Sequence, residues 1–226
     1  MSEPVSRSPI APAPPVRVEA GWEVSGGRSE AALTITDCTP LAKVHLRAPW
    51  NGAMAKALGV PFGRASREGG GAYSAGQDGP EGVWLVVGSG PGEWLVLAPP
   101  GAAEAVTEWL ATVAADVAGD EFVSVTDLTH GRALVRVTGP DAADLLARLC
   151  GTDLEDDMAP DGAALRSAVA GVATDIVRDD TMIDGAAVPS YLLHCERSSG
   201  QYLFGALVSA GESLGIGVDG FRLPGI

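Results

Sequence analysis

Cysteine is scarce in this sequence, with three residues in 226. Cys38, Cys150 and Cys195 are widely spaced and form no Cys-x-x-Cys pair. Their spacing argues against a disulfide framework and an ordinary zinc site, and it favours the cytosol. Cys150 and Cys195 end an apolar helix face and an apolar strand, respectively. We therefore expect both to be small core residues rather than nucleophiles.

Catalytic side chains are also scarce. The three histidines, His45, His130 and His194, are isolated from one another and match no metal-ligand spacing. No serine lies in a Gly-x-Ser-x-Gly elbow, and only Lys43 and Lys56 could serve covalent lysine catalysis. Local motifs therefore predict no catalytic residue and no metal site.

Long apolar runs are absent as well, and this excludes an obvious membrane span. The first residues, MSEPVSRSPIAPAPP, are rich in proline and lack the apolar segment of a signal peptide. Proline and serine there bury little apolar surface, so the sequence predicts a disordered arm over residues 1–19.

Basic residues are outnumbered by acidic ones, 15 to 29, and the net charge is −14. Such a surface disfavours nucleic acid and anionic membranes as partners. No Lys or Arg lies between Arg67 and Arg132, whereas acidic residues are frequent there. We interpret this stretch as a solvated acidic face. The alternative is a docking face for a basic partner.

Hydrophobic periodicity predicts a chain of short alternating elements. A loose glycine-rich segment is expected over 59–82 and an acidic loop over 153–162. Strands are predicted over Lys43–Arg47, Gly82–Val87, Glu93–Ala98, Phe122–Asp127, Ala133–Thr138, Ala164–Ala170, Val172–Arg178 and Ser190–Glu196. Helices are predicted over Asn51–Leu58, Ala102–Val117, Asp141–Leu149 and Gln201–Ser213. Two of them have a predicted apolar face, made of Val106, Leu110, Val113 and Val117 in one and of Ala142, Leu145, Leu146 and Leu149 in the other.

This order occurs twice, each time as strand, helix, two strands and helix. Pro49 and Pro140 mark equivalent turns after the first strand of each repeat. The pattern is that of split βαβ units, so the predicted fold class is α+β with two pseudo-symmetric ferredoxin-like halves. The halves are expected over 20–120 and 121–226, as one structural unit.

Two motifs that could suggest ligand sites have simpler explanations. Gly88–Gly92 follows a strand, but another strand comes next, so a hairpin turn is predicted rather than a phosphate loop. The carboxylates of 153–161 and of 180–185 do not match an EF-hand, and both segments are predicted to be solvated loops.

Asp175 is the one carboxylate that stands among apolar strand residues, in Gly171–Val177. It either faces solvent on the sheet or lies in a pocket that tunes its pKa. The exposed position is favoured.

Several motifs together resemble the aminomethyltransferase (glycine-cleavage T-protein) superfamily. They are Asp127-Leu-Thr-His-Gly131, Val135-Arg-Val-Thr-Gly-Pro-Asp-Ala142 and Thr152-Asp-Leu154. Gly90-Pro-Gly-Glu-Trp-Leu-Val-Leu97 and Glu196-Arg-Ser-Ser199 are more similar to sarcosine oxidase gamma subunits. The resemblance covers roughly Pro40 to Leu214.

The resemblance implies an aminomethyltransferase-like folate-binding fold and a place in a heterotetramer with alpha, beta and delta chains. That complex converts sarcosine to glycine, with hydrogen peroxide and methylene-tetrahydrofolate as further products. FAD, FMN and NAD would belong to the alpha and beta chains and zinc to the delta chain. The gamma chain would be a non-redox assembly subunit that is not itself catalytic.

A superfamily strand, Gly-Gly-x-x-x-Asp-Leu, carries a carboxylate near the folate nitrogens, and the resemblance aligns Asp175 with it. We hypothesise that Asp175 marks a vestigial folate position without catalytic function. One alternative is a free-standing folate-binding aminomethyltransferase-like protein, although its Lys-Gly-Cys-Tyr type of motif is missing. Another is a non-enzymatic scaffold of the same fold in a different amine-oxidising complex.

Overall fold

The computed structural model describes residues 4–67 and 84–223. They form a mixed α+β fold with several sheets and few helices, and their contacts divide them into two compact units. The terminal unit contains the described residues up to Pro40 together with Gly131–Arg222, and the middle unit contains the described residues of Leu41–His130. In chain order the elements are β1 (Ser6–Arg7), β2 (Val16–Glu19), β3 (Trp22–Ser25), β4 (Thr34–Asp37), β5 (Ala42–Arg47), α1 (Ala53–Leu58), β6 (Ala65–Ser66), β7 (Leu85–Gly90), β8 (Glu93–Ala98), α2 (Ala103–Val117), β9 (Ser124–Asp127), β10 (Arg132–Thr138), α3 (Ala142–Ala147), β11 (Ala164–Val169), β12 (Val172–Arg178), β13 (Thr181–Ile183), β14 (Ala186–Val188), β15 (Ser190–Glu196), α4 (Gly200–Gly211) and β16 (Gly217–Asp219).

The middle unit is a five-stranded antiparallel sheet in the order β6-β7-β8-β5-β9, with α1 and α2 packed against it. The predicted apolar face of α2 is confirmed, because Val106, Leu110 and Val113 are at most 1% exposed. Trp109 of the same helix meets Trp84 edge-to-face, with ring centroids 5.2 Å apart. Burial of this stripe against the sheet, more than intrinsic helix propensity, stabilises α2.

The terminal unit contains a six-stranded sheet in the order β11-β12-β15-β10-β4-β16. Alternate residues of its strands pack against α3 and α4, as expected for a sheet with a buried face. The predicted apolar face of α3 is confirmed through Ala142, Leu145 and Leu146, all fully buried. Leu203 and Leu207 make the matching contribution from α4.

The predicted α+β class with two pseudo-symmetric halves is confirmed by the strand orders. In each sheet the order of five strands follows the same scheme, β6-β7-β8-β5-β9 in one and β11-β12-β15-β10-β4 in the other. The helix after β5 and the helix after β10 each contribute to the core of their own unit.

In each sheet, the last of these five strands is the chain segment that leads directly into the other sheet, and we call β4 and β9 the exchanged strands. β4 leads into β5 but pairs with β10, while β9 leads into β10 but pairs with β5. The predicted halves, 20–120 and 121–226, therefore do not coincide with the two contact units, because the hydrogen-bonding partners of β4 lie on β10. Whether the two units fold as one structural unit stays a prediction.

An Asp-x-Thr turn follows each exchanged strand. Asp37 Oδ1 accepts a hydrogen bond from the Thr39 backbone N–H at 2.9 Å, and Asp127 Oδ1 accepts one from the Thr129 N–H at 2.8 Å. The Thr129 hydroxyl oxygen then accepts the Lys43 N–H at 3.0 Å. The Asp127 motif is therefore accounted for by turn geometry.

The prediction of a disordered arm over 1–19 is wrong for its described part. Ser6–Arg7 and Val16–Glu19 both pair with Trp22–Ser25, and Ile10 is 2% exposed in the core of the terminal unit. Arg17 also donates to the Phe221 carbonyl oxygen at 2.7 Å. Composition alone suggested disorder, but backbone pairing with β3 supplies the hydrogen bonds that the local sequence lacks.

Other local predictions have mixed outcomes. The hairpin over Gly88–Gly92 is confirmed, with Gly92 at φ 74°. Most of the predicted loose segment 59–82 lies outside the described residues. The segment 180–185, predicted as a solvated loop, instead begins the β13–β14 hairpin, whose turn residues Asp184 and Gly185 both have positive φ. Among helices in the described ranges, none has the length and apolar content needed to cross a membrane.

Candidate functional site

Three strands of the terminal sheet bring Arg166, Asp175 and His194 into one row. Register pairs Arg166 of β11 with Asp175 of β12, and Asp175 with His194 of β15. Directly opposed residues of antiparallel strands project from the same face, with their Cβ atoms close together. The row therefore follows from strand pairing and not from proximity in sequence.

The Asp175 carboxylate is the centre of this row. Arg166 Nε donates to Asp175 Oδ1 at 2.6 Å, while His194 Nδ1 lies 3.4 Å from Oδ2. The Asp175 side chain is 19% exposed and the His194 side chain 6%, whereas the Arg166 side chain is 55% exposed. The favoured prediction of a solvent-facing Asp175 is therefore wrong, because its two neighbours cover it.

Burial by itself would raise the pKa of Asp175, but hydrogen bonds and charge from His194 and Arg166 outweigh it and lower the pKa below its ordinary value. The carboxylate is therefore ionised at neutral pH. A general base works best with a pKa near the working pH, so this environment makes Asp175 a weak one.

Asp175 is recognisable in the sequence, but its partners Arg166 and His194 are not. Neither histidine spacing nor local motifs place His194 beside a carboxylate 19 positions earlier. The available signal was strand pairing: β12 and β15 were both predicted, but their register was not. His130 and Asp127 belong to the middle unit and are not brought into this row.

A second charged cluster surrounds Arg178 at the end of β12. Its guanidinium contacts Asp180 at 3.0 Å and Asp156 at 2.6 Å, and donates to the Ala159 carbonyl oxygen at 2.8 Å. The hydrogen bond to Asp180, followed by that to Asp156, raises the pKa of Arg178 despite partial burial. Asp156 of the acidic loop therefore has a structural function, because it holds the loop against the end of β12.

Arg136 and Asp179 form a neighbouring buried ion pair. Arg136 Nη2 donates to Asp179 Oδ2 at 2.7 Å, and the two side chains are 12% and 6% exposed. Arg136 Nη1 also donates to the Ser190 hydroxyl at 2.8 Å. This network joins β10, β15 and the segment after β12, and its several hydrogen bonds between strands indicate a structural function.

Burial raises the pKa of the Cys195 thiol to about 11, and its side chain packs in the terminal core. The expectation that Cys195 is a core residue is confirmed, while Cys150 is half-buried against the same core. Within residues 4–67 and 84–223, no three His, Cys, Asp or Glu side chains cluster closely enough to hold a metal ion.

Comparison with known proteins identifies the fold. The family model of the GCVT N-terminal domain matches residues 84–222, more than half of the chain. No match is found among curated protein sequences.

Solved structures with related folds include the following two. One is the glycine cleavage system aminomethyltransferase T from Bartonella henselae, with a TM-score of 0.67 and 16% identity over 93% of this chain and 56% of that chain. The other is heterotetrameric sarcosine oxidase from Corynebacterium sp. U-96 in complex with pyrrole 2-carboxylate, one chain of which matches with a TM-score of 0.59 and 21% identity. That match covers 83% of this chain and 88% of the other. The architecture is thus shared with both proteins, and the family match shows that the chain belongs to the GCVT N-terminal domain family.

Proposed function

We propose that this protein is the gamma subunit of a heterotetrameric sarcosine oxidase. The proposal depends on one observation, the share of the other chain that each structural match covers. The fold match spans 88% of a chain from such a heterotetramer but only 56% of the aminomethyltransferase. The gamma-type motifs around Glu93–Leu97 and Glu196–Ser199 add independent support from the sequence.

In this proposal the chain is a non-redox assembly subunit that packs with the alpha, beta and delta subunits in the cytosol. The complex oxidatively demethylates sarcosine to glycine and forms hydrogen peroxide and methylene-tetrahydrofolate. Flavins, NAD and zinc are held by the other chains. In this proposal the acidic stretch between Arg67 and Arg132 follows its alternative interpretation, a docking face, where charge would chiefly set the orientation and rate of association.

The environment of Asp175 supports a subunit without folate chemistry of its own. Folate nitrogens would have to compete for Oδ1 with a guanidinium 2.6 Å away. The lowered pKa also leaves the carboxylate a weak proton acceptor. The donor set is that of a structural ion pair, and the proposal therefore assigns Asp175 no catalytic step.

Purification of the tagged full-length chain from its native host tests the assembly. We expect flavin-containing polypeptides to co-purify with it through size-exclusion chromatography, together with sarcosine-dependent hydrogen peroxide formation. Recovery of the chain as a monomer, with no flavoprotein bound, would contradict the proposal.

Asp175→Asn in the reconstituted complex tests the role of the carboxylate. We expect sarcosine oxidation and methylene-tetrahydrofolate yield to match those of the wild-type complex. Asp184→Asn, in the exposed β13–β14 turn, is the matched control. A large fall in methylene-tetrahydrofolate yield with oxidation intact, seen for Asp175→Asn alone, would make Asp175 functional.

A second candidate is a free-standing folate-binding aminomethyltransferase-like protein. It is favoured by one observation, the position of Asp175 in a strand of the matched family domain. Equilibrium dialysis of the isolated chain with tetrahydrofolate distinguishes the two candidates. Saturable binding by a monomer that recruits no flavoprotein would favour the second.

A further inference from the structure

The middle unit carries an apolar pocket outside the Asp175 row. It lies between α1, the loop that follows α1 and the β7–β8 hairpin, and its volume is about 400 Å³. Small-molecule sites commonly have volumes of about 300 to 1,000 Å³ with mainly apolar walls and a few polar groups. The size and composition of this pocket are those of a site for a small ligand.

Hydrogen bonds to main-chain atoms hold the walls of the pocket in place. The Trp94 indole N–H donates to the Val60 carbonyl oxygen at 2.8 Å, which ties the floor of the pocket to the loop after α1. Gly88 exchanges hydrogen bonds with Gly63 and Arg64 at 2.9 and 2.8 Å. A Cβ at Gly88 would overlap the Pro61 carbonyl, so a glycine is required for this close approach. The pocket is therefore held open before any ligand binds.

Two exposed aromatic rings line the pocket. Trp50 is 63% exposed and Phe62 is 59% exposed, although this chain has few aromatic residues. The other four tryptophans are at most 7% exposed. Exposed large aromatic side chains beside a formed pocket are unusual and typically mark a binding surface.

The polar character of the pocket is set by Lys56. This residue lines the pocket, and its side chain makes no hydrogen bond or ion pair with any described residue. Nearby acidic groups are engaged elsewhere. Glu93 pairs with Arg47 at 2.7 Å, and Glu121 accepts the Ala53 N–H at 2.8 Å at the start of α1. An ammonium group beside the pocket favours an anion and disfavours a cation in the aromatic site.

We propose that this pocket binds a small planar aromatic carboxylate. Its ring packs against Trp50 and Phe62 over the Trp94 floor, and its carboxylate pairs with Lys56. The site goes beyond the proposed function, since no step assigned to the complex uses it.

Binding is measured by isothermal titration calorimetry and tryptophan fluorescence on the full-length chain, with 2-naphthoate as the probe. We expect saturable 1:1 binding, with fluorescence quenching that Trp50→Phe reduces, because Trp94 also lines the pocket. Neutral 2-naphthamide should bind about fivefold more weakly, the effect of one solvent-accessible charge pair. The saturated analogue decahydro-2-naphthoate should bind at least about tenfold more weakly, because it cannot stack.

Variants assign the binding to this pocket. Trp50→Ala and Phe62→Ala should each weaken 2-naphthoate binding by about tenfold, and Lys56→Gln should remove the preference for acid over amide. Phe122→Ala, at an aromatic residue that is 79% exposed and does not line the pocket, should leave affinity unchanged. Circular dichroism and thermal unfolding show that each variant is folded.

Three results would overturn the proposal: no saturable binding, equal affinity for the acid and the amide, or affinity unaffected by Trp50→Ala. Each is independent of subunit assembly, because the assay uses the chain by itself. Failure here therefore leaves the gamma-subunit proposal standing, and failure of co-purification leaves the pocket standing.

Discussion

The terminal and middle units use the same strand order for different interiors. The terminal unit buries an ion pair between Arg136 and Asp179, whose side chains are 12% and 6% exposed. In the middle unit, an ion pair between Arg47 and Glu93 lies at the surface, with Arg47 63% exposed. The middle unit buries one charged side chain, Lys43, and its buried aromatic residues in the described ranges are Trp84 and Trp109 in the core and Trp94 beside a pocket. The terminal unit also buries aromatic rings, those of Trp22, Tyr191, Phe204 and Phe221.

The comparison shows which features the shared strand order requires and which can differ between the two units. Both sheets need an apolar face for their helices, and both have it. The remaining positions accept either a charge network or an aromatic pocket without a change in strand order. Two copies of one topology therefore carry different chemistry, and fold alone does not assign function to either.

The largest expected effect comes from breaking the buried pair of the terminal unit. Arg136→Met removes the guanidinium that pairs with the buried Asp179 carboxylate and should cost about 3 to 5 kcal/mol in the free energy of unfolding. Arg47→Met, its counterpart in the middle unit, should cost less than about 1 kcal/mol because solvent screens the exposed pair. Urea unfolding measures both. Equal losses would show that burial does not distinguish the two pairs.

A glycine exchange tests how tightly the middle hairpin is packed. Gly88→Ala forces a Cβ against the Pro61 backbone and should destabilise the protein by about 1 to 3 kcal/mol. Gly205→Ala is the control in the terminal unit, where the new methyl on α4 meets no atom within 4 Å. It should stabilise by about 0.5 to 1 kcal/mol through helix propensity. Thermal unfolding of both variants gives the comparison, and a neutral Gly88→Ala would contradict the close approach.

A smaller, pH-dependent effect is expected at Asp175. Because folding lowers its pKa below 3.8, its contribution is present above that value and is lost as the pH falls through the lower folded value. Asp175→Asn should cost about 1 kcal/mol at neutral pH, a modest amount because Arg166 is half-exposed. Urea unfolding from pH 7 to about pH 2 should show the variant and the wild type converging below pH 3.8. Asp184→Asn should follow the wild type throughout, and a constant gap for Asp175→Asn would refute the linkage.

The smallest effects concern the thiols, which all belong to the terminal unit. Alkylation of the native protein should modify the half-buried Cys150 first. Cys38 and Cys195 are 2% and 1% exposed, and burial holds the pKa of Cys195 at about 11, so few thiolates form there. Mass spectrometry gives the order, and early modification of Cys195 would contradict its place in the core.

The same labelling tests whether the two units fold as one. Cys195 becomes accessible when the terminal unit unfolds, whereas Trp84 and Trp109 report on the middle core. We expect the two transitions to coincide in a urea titration. Separate midpoints would show that the exchanged strands do not couple the units.

The α+β class, the internal repeat and most elements with a buried apolar face could be predicted from the residues alone. α2 and α3 could be predicted because apolar residues recur in them at helical spacing, namely Val106, Leu110 and Val113 in α2 and Ala142, Leu145, Leu146 and Leu149 in the segment of α3. Short or polar strands such as Ser6–Arg7 and Thr181–Ile183 could not, since their stability comes from pairing partners and not from their own residues.

The surroundings of the titratable groups, by contrast, depend on long-range contacts between strands. Asp175 was visible in the sequence, but its ionisation depends on Arg166 and His194, which reach it through strand register. The exchange of β4 and β9 was equally hidden, because hydrogen bonding between strands is set by the long-range pairing of apolar faces. The pocket beside Trp50 likewise depends on the approach of the Gly88 hairpin to Pro61, a contact that no local pattern encodes.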